Sequence, residues 1–69
     1  MNKNKLLAVL VEHGETQKTL AEALGIARIT LSRKINESDN AVFTQPEIAA
    51  IKNRYNLSDE AVVSIFFAN

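Results

Sequence analysis

Apolar residues recur at helical spacing along most of the chain, and glycines and other turn formers separate the periodic segments. Residues 3–13 carry Leu6, Val9 and Leu10 at this spacing and end before Gly14, which predicts a first helix. No alternating strand pattern is present anywhere in the chain. The hydrophobic pattern therefore predicts an all-α fold.

Two short helices joined by a sharp turn are predicted next. Thr16 is a suitable N-cap for a second helix over residues 17–24. Gly25 permits a positive φ, so the chain can turn within about three residues, where Ile26 fills the corner. A third helix follows over residues 28–36.

The third helix has an inner and an outer side. Leu31 and Ile35 lie one turn apart on the inner side. At 100° per residue, five other positions fall within an arc of about 140°: Arg28, Ile29, Ser32, Arg33 and Asn36. The outer side therefore holds two arginines and no acidic residue.

The second half of the chain contains a loop and two capped helices. Residues 37–43 lack periodicity and are predicted to form a loop. The segment 44–47, Thr-Gln-Pro-Glu, is a capping box that opens a helix over residues 45–54. Ser58 caps a fifth helix that ends in Ile-Phe-Phe at residues 65–67. We expect five short helices in a single domain over residues 1–69.

Composition narrows the classes of function. The 69 residues include no cysteine and one histidine, which excludes disulfides and thiolate sites and predicts no metal or other cofactor. No cluster of acids, bases and nucleophiles indicates an enzyme or a small-molecule substrate. The apolar run at residues 6–11 is too short for a membrane span, so we expect a cytoplasmic protein without membrane contact.

The formal net charge of zero hides an uneven distribution. Up to residue 35 the chain has six basic and three acidic residues, and after it two basic and five acidic residues. We therefore expect a basic half, and an acidic half that faces solvent or a partner. Lys3 and Lys5 are either phosphate contacts or part of a solvated terminus.

The run over residues 17–36, Gln-Lys-Thr-Leu-Ala-Glu-Ala-Leu-Gly-Ile-Ala-Arg-Ile-Thr-Leu-Ser-Arg-Lys-Ile-Asn, resembles the helix-turn-helix of lambda-repressor-like, or Xre-family, regulators. Glutamine, alanine and glycine at positions 17, 21 and 25 carry the likeness, and the two capped helices extend it across nearly the whole chain. Within the family, the chain looks especially like small Cro-like proteins and modulators of repression from temperate phages.

This resemblance implies a regulator that binds double-stranded operator DNA through the third helix, on the nucleoid of a bacterial host. At matching positions Gln17 would contact a phosphate, whereas Arg28, Ile29 and Arg33 would face base edges. Weaker candidates for phosphate or base contacts are Thr30, Ser32 and Asn36, and Lys18 is a candidate for neutralising charge on the DNA backbone. Lys34 is either a further phosphate contact or a residue whose stem lies along the edge of the core. Ala27 stands where the family usually has a capping serine or threonine.

The last helix carries more apolar residues than one stripe can bury. Val63, Phe66 and Phe67 are candidates for a dimer or partner interface, and Val63 and Phe67 are the surplus if Phe66 joins the core. Two functions stay open. The chain is a Cro-like repressor that binds its operator as a homodimer, or an antirepressor that binds a larger phage repressor with or without direct DNA contact.

Overall fold

The computed structural model describes residues 1–68, and every regular element in this part of the chain is helical. The five α-helices are α1 (Lys3–Glu12), α2 (Gln17–Leu24), α3 (Arg28–Asn36), α4 (Gln45–Arg54) and α5 (Asp59–Val62). A π-helical turn, Val63–Phe67, continues α5. The expected all-α class with five short helices is confirmed for these residues.

Side-chain caps start three of the helices where the sequence predicts. The Thr16 hydroxyl accepts the Thr19 N–H at 3.2 Å, and the Thr19 hydroxyl accepts the Thr16 N–H at 2.9 Å. Thr44 and Glu47 form the same reciprocal pair at the start of α4. Ser58 caps α5. Each cap satisfies an N–H group that the first helical turn leaves without a partner.

A left-handed glycine ends α2 and turns the chain into α3. Gly25 has φ 70° and ψ 29°, and the Ile26 N–H donates to the Ala21 carbonyl at 3.0 Å. A side chain at position 25 would meet no atom within 4 Å, so glycine is favoured there by its backbone conformation and not by lack of space. Ala27 provides no side-chain cap for α3.

One apolar core joins the helices. Its largest fully buried side chains are Leu6, Leu20, Leu31 and Ile51, and burial of each contributes about 1.5–3 kcal/mol. Leu10, Ala21, Ile35, Tyr55 and Ile65 complete the buried cluster. His13 lies outside it, as the C-cap of α1, with its ring centroid 4.9 Å from that of Tyr55.

The segment 37–43 is not a loop throughout. Ser38–Asn40 form a single 3-10 turn, and three residues in this stretch have positive φ: Glu37, Asp39 and Asn40. A three-residue turn is too short to produce a hydrophobic period, so the sequence pattern could not predict it.

Candidate functional site

The inner side of α3 is anchored against α2 and the core. Leu31 is fully buried and Ile35 nearly so, and Leu20 of α2 is fully buried as well. Ala21 is also buried, and its small side chain lets the two helices pack closely. The anchoring sets the orientation of α3 and leaves its outer side facing solvent.

Four of the five predicted outer positions of α3 are exposed, and the fifth, Ser32, is half-buried. Arg28, Arg33 and Asn36 are exposed, and Ile29 is 62% exposed although it is a large aliphatic residue. Thr30, at the border of this side, is half-buried. The exposure of Ile29 rules out a role in the core and leaves its side chain available for contact with another molecule.

The other predicted site residues differ in how accessible their side chains are. Gln17 is half-buried and Lys18 is exposed, both in the first turn of α2. The Asn36 side-chain amide donates to the Ser32 carbonyl at 3.0 Å, and its oxygen accepts from Lys3 Nζ at 3.1 Å. A ligand that binds Asn36 must therefore replace hydrogen bonds within the chain.

The sequence left the role of Lys3 undecided, and the structure places this residue beside α3. Its ammonium group lies at the C-terminal end of α3 through the contact with Asn36, 33 positions away in sequence. No signal in the local sequence could show this proximity, because only the tertiary fold brings the two residues together. The contact adds a cationic side chain at the end of α3 that also carries Arg33.

Lys34 is not available to bind phosphate. Its ammonium group donates to Glu47 Oε1 at 2.8 Å and to the Val42 carbonyl at 3.1 Å, and the side chain is only 14% exposed. Burial raises the pKa of Glu47, but hydrogen bonds from Lys34 and from the Thr44 N–H outweigh it and hold the pKa below its ordinary value. Of the two roles expected for Lys34, the structure shows the one at the edge of the core.

Ion pairs join the two halves of the chain. The Met1 amino group pairs with Glu37 at 2.8 Å, and Arg54 Nε donates to Glu15 Oε1 at 2.7 Å. Together with the pair between Lys34 and Glu47, these contacts cross the midpoint of the sequence. Four of the five acids in the second half are exposed to solvent, as expected, and Glu47 is half-buried. Two of the exposed acids, Glu37 and Asp59, are nevertheless paired within the chain, Asp59 with Lys52.

Five cations form no ion pair within residues 1–68. Three of them, Lys18, Arg28 and Arg33, lie on the α2–turn–α3 unit. Lys3 lies at the C-terminal end of α3, and Lys5 lies on α1. Most of the unpaired positive charge is therefore on or beside the predicted surface, although the chain as a whole is neutral.

A second surface is apolar. Val63 and Phe67 are each 56% exposed, whereas Phe66 is half-buried with its ring edge-to-face against Phe43 at 5.4 Å. Of the three residues predicted as an interface, Val63 and Phe67 are the exposed ones. Phe66 and Phe67 also line a groove of about 180 Å³, and the exposed Val42 lies on its wall.

No three His, Cys, Asp or Glu side chains among residues 1–68 lie close enough to hold a metal ion. No helix in the same range has the length and apolar character that a membrane span requires. Comparison of the chain with protein-family models, curated proteins and solved structures finds no match. The resemblance to lambda-repressor-like regulators stays a prediction from the residues.

Proposed function

We propose that this chain is a sequence-specific DNA-binding transcriptional regulator that lays α3 in the major groove of an operator. The observation that carries the proposal is the surface of α3: two arginines without ion pairs among residues 1–68 flank an exposed isoleucine on a helix anchored from behind. In a helix-turn-helix, the second helix lies in the major groove, which is wide enough to admit one α-helix. The side chains on its exposed side then contact the base edges.

Each exposed side chain on α3 suits a different part of the DNA. Arg28 and Arg33 can form bidentate hydrogen bonds with O6 and N7 of guanine, and Ile29 can pack against a thymine methyl group. Gln17 and Lys18, in the first turn of α2, are suited to phosphate contacts that set the position of α3. Bases are therefore read by α3 and the backbone by α2.

Regulation would follow from occupancy of the operator. A homodimer on a palindromic site, with half-sites about one helical turn apart, would block access of polymerase to a promoter. In the context of the resemblance, this is the action of a Cro-like repressor in a phage lysis–lysogeny switch, within the cytoplasm of a bacterial host.

A gel-shift titration tests the proposal, with duplexes taken from the DNA that flanks the gene. We expect affinity to fall steeply as salt rises, because phosphate contacts release counterions. Arg33→Ala should reduce the preference for the cognate site over a scrambled duplex by about tenfold or more. An affinity that responds neither to salt nor to Arg33→Ala would contradict DNA recognition through α3.

The second candidate function is modulation of a larger repressor by direct protein contact. The exposed Val63 and Phe67 and the adjacent groove favour it, since exposed aromatic and aliphatic residues beside a groove are typical of protein interfaces. Co-purification with the neighbouring repressor, without retardation of DNA by this chain alone, would support this function over the first. Phe67→Ser should then abolish the co-purification.

A further inference from the structure

A stripe of four residues runs along one side of α1. The stripe consists of Lys5, Ala8, Val9 and Glu12, at positions i, i+3, i+4 and i+7, and we call it the α1 stripe. It forms one wall of an open groove of about 250 Å³. The opposite wall is formed by α5 and the π-helical turn that follows it. A basic residue thus stands at one end of the stripe and an acidic residue at the other.

The two charges of the α1 stripe have no ion pair within residues 1–68. Lys5 donates a hydrogen bond to the Ser64 hydroxyl and is otherwise exposed, and Glu12 is exposed as well. Seven residues of helix separate them by about 10 Å, so they cannot pair with each other. Both are therefore available to charges on another molecule.

The centre of the α1 stripe can accept a second helix at close range. Ala8 is exposed, and Val9 is half-buried with its inner part packed on the core. Across the groove, Ala61 and Ser64 are also small and half-buried. Small side chains on both walls let another helix approach to the interaxial distance of about 8–10 Å that is usual for packed helices.

The four positions of the α1 stripe are spaced symmetrically about the midpoint between Ala8 and Val9. When two α1 helices lie antiparallel with a two-fold axis through this point, Lys5 of each copy faces Glu12 of the other. Ala8 of each copy then faces Val9 of the other. We propose that the α1 stripe is a contact between two copies of this chain, formed by two reciprocal ion pairs around a small apolar centre.

A second copy fits the α1 stripe better than another partner does. The stripe has one charge of each sign, so it does not attract a uniformly charged partner such as nucleic acid. The groove lined by Phe66 and Phe67 differs, because its charged residues Lys34 and Glu37 are already paired within the chain and cannot align a partner through ion pairs. That groove remains available to a different protein.

The contact is small, so self-association is expected to be weak. The α1 helix has 10 residues and spans about 15 Å. A single pair of such helices buries less than the roughly 800 Å² per partner that is usual in stable interfaces. Dimer formation should therefore depend on concentration in sedimentation equilibrium, without DNA, at low salt.

Charge exchange between the two ends of the α1 stripe tests the contact. Lys5→Glu and Glu12→Lys each convert two ion pairs into two like-charge contacts, and each should raise the dimer dissociation constant by about tenfold or more. An equimolar mixture of the two variants should form a heterodimer about as strong as the wild-type dimer, and the double variant K5E/E12K should recover self-association. Both substitutions suit the dipole of α1, and circular dichroism checks that each variant is folded.

Two further variants make the test decisive. Val11→Glu lies on α1 outside the stripe, at a position that is 77% exposed, and should leave self-association unchanged. Ala8→Glu should abolish it. A chain that stays monomeric at millimolar concentration, single variants that associate like the wild type, or a mixture that fails to associate would each overturn the proposal. Loss of association with Phe67→Ser instead would place the contact at the C-terminal surface and overturn it as well.

Discussion

The helices α3 and α4 are nearly equal in length and both have basic residues in their last turn, yet their charges are used differently. On α4, Lys52 pairs with Asp59 and Arg54 with Glu15. On α3, Lys34 pairs with Glu47, but Arg28 in the first turn and Arg33 in the last have no such partner among residues 1–68. A count of charges along the chain does not distinguish these helices. Only the pairing shows which helix can bind a charged ligand.

The largest expected effect comes from the inner side of α3. Leu31→Ala should lower the free energy of unfolding by about 2–5 kcal/mol, because Leu31 is fully buried and its truncation leaves a cavity. Ile29→Ala, on the outer side of the same helix, should change it by no more than about 0.5 kcal/mol. Urea unfolding monitored by circular dichroism measures both. Equal losses would mean that α3 is not anchored as described.

A direct comparison of α3 and α4 comes from two arginines. Arg28→Ala should weaken binding to the selected duplex by about 1–3 kcal/mol and relax base preference at one position. Arg54→Ala is the matched control on α4 and should leave the affinity for the same duplex within about twofold. Fluorescence anisotropy at fixed salt measures both constants. If Arg54→Ala has the larger effect, the DNA-binding surface lies elsewhere.

The pair between Lys34 and Glu47 should have an intermediate effect on stability. Lys34→Met should cost about 1–2 kcal/mol, since it leaves a carboxylate that is only 15% exposed without its main partner. The Thr44 N–H, which also donates to this carboxylate, should limit the loss. Urea midpoints at neutral pH give the loss. An unchanged urea midpoint would mean that the ion pair contributes no more stability than an apolar side chain at position 34.

The same carboxylate predicts a pH dependence. Because the folded state lowers the pKa of Glu47 below its ordinary value of 4.5, its contribution to stability is complete above that pH and is lost as the pH falls through the folded pKa. Glu47→Gln should therefore lose less stability than the wild type between neutral pH and pH of about 3. Identical pH profiles would contradict the assignment.

The smallest expected effect is at the pair between Lys52 and Asp59. Asp59 is almost fully exposed, and the pair lies in solvent at the start of α5. Asp59→Asn should leave the thermal midpoint nearly unchanged, and added salt should remove what difference remains. Thermal unfolding at low and high salt checks this. A large loss would show that α5 depends on the charge of Asp59.

Local sequence alone determined the positions of the helices and the outer side of α3. The caps at Thr16, Thr44 and Ser58 act within three residues, and periodicity follows from the geometry of a single helix. The sequence therefore contains all the information needed to place Arg28 and Ile29 on an exposed side. The 3-10 turn after α3 escaped prediction because it is too short to have a period.

Only the tertiary structure decided which charges remain free. Lys34 and Glu47 are 13 positions apart, Glu15 and Arg54 are 39 apart, and Lys3 reaches α3 across 33. The attraction between two charges depends on the distance between them in space and weakens as that distance grows. This distance bears no fixed relation to the separation of the two residues along the chain. The neutral composition was therefore compatible with paired and unpaired arginines on α3, and the packing of the helices selected between them.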